Sequence, residues 1–171
     1  MLITSKGRYA LRLMIYIAAF GGDGASGGRE PSTDGAGEGS TASGAKIALR
    51  EVSEREGISL KYLEQLVRPL MAAGLLRSVR GKGGGYVLGM PADEIRAGDI
   101  LRAAEGEKSA VACDGLDGAC GRSDLCSTVK FWTGLEEAID TYVDSVALAD
   151  LARVPELKLD VDLSRFEKAG A

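Results

Sequence analysis

Residues 79–88 read Val79-Arg80-Gly81-Lys82-Gly83-Gly84-Gly85-Tyr86-Val87-Leu88, and the fold turns on how they are read. Glycine admits positive φ and carries no Cβ, so this run can turn tightly and press close to a partner. Arg80 and Lys82 stand on the turn between residues 76–79 and the apolar β-type run 86–88. Together they make a β-hairpin with a cationic tip, suited to phosphates or a groove. Nucleotide-binding loops fail on spacing. A G-x-G-x-x-G beginning at Gly81 needs glycine where Tyr86 stands. A P-loop ending in Gly81-Lys82 needs glycine where Leu76 stands and Ser or Thr where Gly83 stands. A DNA-reading wing or a plain glycine-rich hairpin is left.

The residues before the hairpin separate these two. Ser59 is placed to N-cap a helix, after which Leu60, Leu63, Leu66, Val67 and Leu70 recur at helical spacing on one face. Lys61, Tyr62, Glu64, Gln65 and Arg68 occupy the other face, a set rich in hydrogen-bonding groups. Upstream, residues 47–56 read as another amphipathic helix, with Ile47, Leu49 and Val52 inward and Gly57 closing it. Two short helices joined through Gly57-Ile58, then a basic hairpin, make a winged helix-turn-helix whose Ser59 helix would enter the major groove. Pro69 is expected to kink or shorten the last turn of that helix, because proline lacks the N–H of a helical bond.

Charge divides the chain the same way. Residues 1–90 carry 12 Lys/Arg against 8 Asp/Glu, whereas residues 91–171 carry 9 against 17. The overall charge of −4 therefore conceals a basic N-terminal module, the expected footprint of a polyanion reader. The 171-residue length suits one compact domain of roughly 130–145 ordered residues. No apolar run reaches the roughly 18–20 residues of a membrane span. The positive start followed by residues 11–20 has some look of a signal peptide. Residues 4–16 are better used as a first helix, with Leu11, Met14, Ile15 and Ala18 facing inward, and a cytoplasmic protein is expected. Segment 21–45 contains nine glycines with Ser, Thr, Asp and Glu, and reads as a flexible loop.

Cys113, Cys120 and Cys126 are the chain's three cysteines, separated by six and five residues. Soft thiolates on one glycine-rich segment can wrap an iron–sulfur cluster or a soft metal ion. Paired C-x-x-C zinc knuckles are not present, and a reducing cytosol disfavours a disulfide framework. Unligated reduced thiols are the alternative. Farther on, Trp132, Leu135, Ile139, Tyr142 and Val146 step by 3, 4, 3 and 4, an a/d seam on a helix of roughly 20 residues and 30 Å. Such a seam serves as ordinary core or against a partner helix. Residues 148–151 are expected to fold back.

Three stretches carry a family resemblance: Met1-Leu-Ile-Thr-Ser-Lys-Gly-Arg-Tyr-Ala10, Ile58-Ser-Leu-Lys-Tyr-Leu-Glu-Gln-Leu66 and Ser78-Val-Arg-Gly-Lys-Gly-Gly-Gly-Tyr86. In this order they resemble the Rrf family of bacterial winged-helix regulators, and the likeness extends over nearly everything except residues 21–45. The resemblance implies a mainly α fold with a small β-hairpin: a winged helix-turn-helix plus a long dimerisation helix. Its divisions would be a DNA-binding module at 1–90 interrupted by the 21–45 insertion, a linker helix and cysteine loop at 91–127, the dimerisation helix region at 128–152 and a tail at 153–171. It implies a homodimer on a palindromic duplex, with base or groove contacts at Lys61, Glu64 and Arg80. It also implies a 2Fe–2S or 4Fe–4S cluster held by Cys113, Cys120 and Cys126.

The fourth ligand is open. Where 2Fe–2S relatives carry histidine this chain has Val129, and where some 4Fe–4S relatives carry an acid it has Arg8. Asp114, Asp117, Asp124, a partner carboxylate or an exogenous ligand are the candidates. The chemistry of the remaining side chains assigns Tyr62 and Gln65 to base edges, Gly81 to close approach, and Ser59, Lys6 and Lys82 to phosphates. The expected protein is a transcription regulator, with repression the expected direction, sensing redox, nitric oxide or iron–sulfur status. Alternatives are a regulator controlled by thiols or a partner protein without a cluster, and a small iron–sulfur redox protein. Against the last, no histidine, C-x-x-C or acid–base constellation is present.

Overall fold

Helix α1, Ser5–Phe20, crosses the centre of the molecule in the computed structural model, which describes residues 4–21, 45–81, 83–106, 120–121 and 126–153. After it come α2 (Leu49–Glu56), α3 (Leu60–Ala72), β1 (Leu76–Val79), β2 (Gly85–Leu88), α4 (Ala97–Glu105), α5 (Val129–Ser145) and α6 (Leu148–Ala152). The mainly helical class with one antiparallel two-stranded sheet is as the sequence implied. Residues 22–44 of the 21–45 insertion, most of the cysteine segment and the tail beyond 153 lie outside the described residues.

The core forms where α1 meets α3, α4 and α6. Leu13, Met14 and Ile17 of α1, Leu63, Leu66 and Leu70 of α3, Ile100 of α4 and Leu148 of α6 are at most 1% exposed. Each such side chain contributes about 1.5–3 kcal/mol by leaving water. The inward face of α1 is offset from the expected one. Ala10, Leu13, Met14, Ile17 and Ala18 are buried, whereas Leu11 and Ile15 pack half-buried at its margin. Residues 148–152 do fold back, seating Leu148 and Ala149 in the main core.

Polar ties fix the helices that flank this core. Arg12 of α1 donates through Nε to Glu56 Oε2 at 2.8 Å and through Nη2 to the Glu56 carbonyl at 2.9 Å, pinning the end of α2. The Tyr16 hydroxyl donates to Glu51 Oε1 at 2.9 Å, and burial together with that carboxylate raises the phenol's pKa. Arg102 of α4 bridges Asp144 of α5 at 2.6 Å and Asp99 at 3.1 Å.

At the other end of α4, Glu105 Oε1 accepts from Thr4 N at 2.8 Å, Thr4 Oγ1 at 2.6 Å and Gly7 N at 2.7 Å. Its carboxylate thus satisfies donors that the first turn of α1 would leave unpaired. Burial pushes the Glu105 pKa up, but these hydrogen bonds and the Lys6 charge outweigh it and hold the group below the usual carboxylate range. A depressed pKa contributes stability at neutral pH that is lost as pH falls through the folded-state value. Glu105→Gln should therefore be less stable than the parent at pH 7, by a few tenths to about 1 kcal/mol. Urea unfolding at pH 7 and pH 3 should show the gap closing in acid; a constant gap would contradict the charged cap.

Candidate nucleic-acid interface and cysteine segment

Gly57 ends α2 in the left-handed region (φ 66°), and Ser59 caps α3, its side-chain oxygen accepting from Tyr62 N at 3.3 Å. This turn sets the two helices as a helix-turn-helix. With Leu63, Leu66, Val67 and Leu70 buried, α3 exposes Lys61, Glu64, Gln65 and Arg68. Two side chains depart from the expected faces. Leu60 is 38% exposed, because it lies on the first turn beyond the core. Tyr62 is half-buried, its ring edge-on to Tyr9 at 5.8 Å, so it braces α3 against α1. Pro69 does not shorten the helix, which runs on to Ala72; so near the C-terminal end its missing N–H removes a single helical bond.

The wing pairs Leu76 with Leu88, Arg77 with Val87, Ser78 with Tyr86 and Val79 with Gly85. Its tip turns through Gly81 (φ 111°) and Gly83 (φ 73°), closed by a hydrogen bond from Gly84 N to Gly81 O at 2.9 Å. Arg80 and Gly81 are exposed there, while Lys82 lies outside the described residues. Ile47 is not helical as expected. It pairs with Tyr86 across an isolated antiparallel bridge, with N–H···O distances of 3.0 and 2.8 Å, and α2 begins only at Leu49. A Cβ on Gly85 would come within 2.6 Å of the Ile47 carbonyl oxygen, so glycine there lets the wing dock on the start of the helix-turn-helix.

Between wing and helices runs an open cleft of about 360 Å³, bordered by Arg50, Leu60, Glu64, Ser78, Val79 and Tyr86. Glu64 of α3 and the strands that carry Arg80 thus share one concave surface. The sequence reading passed over Arg50, an exposed cation that borders this cleft, and Arg77, an exposed cation on β1. Alternation along β1 was the available signal for Arg77. Lys6 is half-buried in the first turn of α1, beside Glu105, and Arg8 bonds Ser5 Oγ at 3.1 Å.

Cys120 and Cys126 are half-buried free thiols; Cys113 lies outside the described residues. Cys126 stands just before the N-terminus of α5, with its sulfur 3.2 Å from Thr128 Oγ1. The Thr128 hydroxyl and the backbone N–H groups of Thr128 and Val129 favour the thiolate and lower its pKa. A thiolate is the form in which cysteine ligates a soft metal, so the donors around Cys126 suit it to that chemistry. Thr128→Val should shift alkylation of Cys126 by iodoacetamide to higher pH, read by peptide mass spectrometry on iron-free protein. An unchanged pH profile would remove the hydroxyl from the account.

Helix α5 is 17 residues, about 25 Å, shorter than the seam implied. Phe131 (63%), Leu135 (37%) and Tyr142 (56%) are exposed, and Trp132 and Ile139 are half-buried. Val143, outside the seam, is the buried residue that meets Leu101 of α4. Val146 lies beyond the helix, where its carbonyl accepts from Ala97 N at 2.9 Å. The region 128–152 accordingly holds two helices, of which α6 belongs to the core.

A helix-turn-helix carrying a docked two-stranded wing defines a winged-helix transcription regulator. The Rrf2 family profile, described as an iron-dependent transcriptional regulator, matches residues 40–154, and the chain belongs to this family. It is 38% identical over 151 residues to the HTH-type transcriptional regulator IscR of Yersinia enterocolitica, covering 88% of this chain and 79% of that one. IscR of Aliivibrio salmonicida is 37% identical over 169 residues, covering 99% and 88%. Among solved structures, CymR, the global cysteine regulator of B. subtilis, superposes with a TM-score of 0.64 at 35% identity, covering 89% of this chain and 96% of that one. IscR of T. potens gives 0.60 at 28% identity, covering 92% and 94%. The chain is therefore a transcription regulator and not an enzyme, and the redox-protein alternative is set aside. Among the described residues, no helix is long and apolar enough to cross a membrane.

Proposed function

We propose that this protein is a cytoplasmic, homodimeric repressor that reads a palindromic operator and changes its DNA affinity with the iron–sulfur state of its cysteine segment. The observation that carries the DNA reading is the exposed row Lys61, Glu64 and Gln65 of α3 beside the Arg80-tipped wing. Gln65 suits adenine and Glu64 suits cytosine N4, while Arg80 enters the adjacent minor groove with Gly81 allowing close approach. Ser59, Lys6 and Lys82 hold phosphates. Tyr62, braced on Tyr9, reaches the duplex with its outer edge alone. The three thiols hold the iron; when bound, a cluster supplies a centre whose oxidation or loss of ligands alters the segment that carries it. A second reading, control by thiols or a partner protein without iron, draws on the thiolate-favouring site of Cys126 and on the likeness to a cysteine regulator.

The experiment is selection of a preferred duplex from a random pool, then anisotropy titration at fixed salt. Arg80→Ala should cost about 1–3 kcal/mol on that duplex. Glu64→Ala should hold or raise affinity for mismatched duplexes while losing discrimination at one cytosine-containing step, because a carboxylate facing a polyanion is tolerated only where a base donor meets it. Parental affinity in Arg80→Ala, or uniform loss across sequences in Glu64→Ala, would contradict these roles.

A further inference from the structure

We infer that Glu105 is the positioning residue through which the cysteine segment acts on the DNA-reading module, an inference that rests on the sensing function proposed above. Glu105 is the last residue of α4, and Gly106 (φ 86°) ends the helix where, in sequence, the segment that carries the cysteines begins. One carboxylate oxygen, Oε1, gathers Thr4 N, Thr4 Oγ1 and Gly7 N within 2.6–2.8 Å. These donors bracket Lys6 in sequence, so the carboxylate sets the direction of the turn that carries this phosphate-binding cation. Thr4 Oγ1 also accepts from Lys6 N at 3.0 Å, which joins Lys6 to the same network.

Gly7 is part of the device. A Cβ there would come within 2.9 Å of Glu105 Oε1 and of Leu101 Cδ2, the ends of two flexible side chains, so alanine at this position would push the carboxylate off its donors. The other boundary of the segment is α5, three residues beyond Cys126, and α5 is locked to α4 by Arg102 and Asp144 at 2.6 Å. One boundary of the segment is thus a braced pair of helices. The other is a single carboxylate that holds the first turn of α1.

The test compares operator affinity of iron-loaded and iron-free protein, prepared without oxygen, for the parent, Glu105→Ala, Glu105→Gln and Gly7→Ala. A parental ratio of about 5–150-fold is expected from an allosteric coupling. In Glu105→Ala and Gly7→Ala the ratio should fall to about one, with iron per protomer and dimer mass unchanged. Glu105→Gln keeps the acceptor oxygen and should retain most of the ratio. Arg12→Ala, which cuts a different tie on α1, should lower the melting temperature and leave the ratio at the parental value; loss of the ratio there too would make Glu105 one structural contact among others and overturn the inference. A parental ratio preserved in both Glu105→Ala and Gly7→Ala would overturn the inference alone. A parental ratio of one would overturn the sensing function, and the relay with it.

Discussion

Alanine at Cys113, Cys120 or Cys126 is expected to strip iron from protein prepared without oxygen, to nearly the same extent at each position. The thiolates of a shared centre act as a unit, so removing one leaves a site with too few strong ligands. This chain has little reserve, because it has no histidine and no fourth cysteine. Each variant should remain folded and dimeric, since the core of α1, α3, α4 and α6 and the exposed face of α5 do not include the cysteines. Iron content, mass and operator affinity would be measured together. Full iron retention in one variant would remove that cysteine from the ligand set, and parental DNA affinity in all three would end the sensing role.

Glutamate at Leu135 and Tyr142 together is expected to break the proposed homodimer. Phe131, Leu135 and Tyr142 leave an apolar stripe in water along α5, with Trp132 and Ile139 at its edge. Covering such side chains contributes up to about 1.5–3 kcal/mol each, and two facing carboxylates would have to be desolvated or repel. A monomer presents one recognition helix in place of two linked ones, so operator affinity should fall by about 10²–10⁴-fold. Neither residue touches the core cluster around α1, so the melting transition should persist. A dimer that survives both substitutions would move the interface elsewhere.

The DNA-reading half was legible because its signals are local. Ser59, Gly57 and the leucine repeat each determine a cap, a turn or a face within a few residues, and all but Leu60 stand where the spacing predicts. Features set by distant packing were not legible. Ile47 alternates like a helical residue but completes a sheet with Tyr86, a partner 39 positions on. Tyr62 belongs to the polar face by spacing, yet Tyr9 draws it inward. A heptad count carried Val146 onto α5, whereas the Ala97 N–H claims its carbonyl and the helix stops at Ser145. Glu105 gave no local signal, since its three donors come from about a hundred residues earlier.

One measurement bears most directly on the claim that this winged-helix regulator answers to iron through its cysteine segment. Protein purified without oxygen would be titrated with its selected duplex by anisotropy, before and after removal of iron by a chelator, with absorption recorded throughout. The account predicts thiolate-to-iron charge-transfer absorption between roughly 320 and 460 nm. It also predicts a change in operator affinity of about fivefold or more when that absorption is lost. Colourless, iron-free protein, or equal affinity in both states, would contradict it.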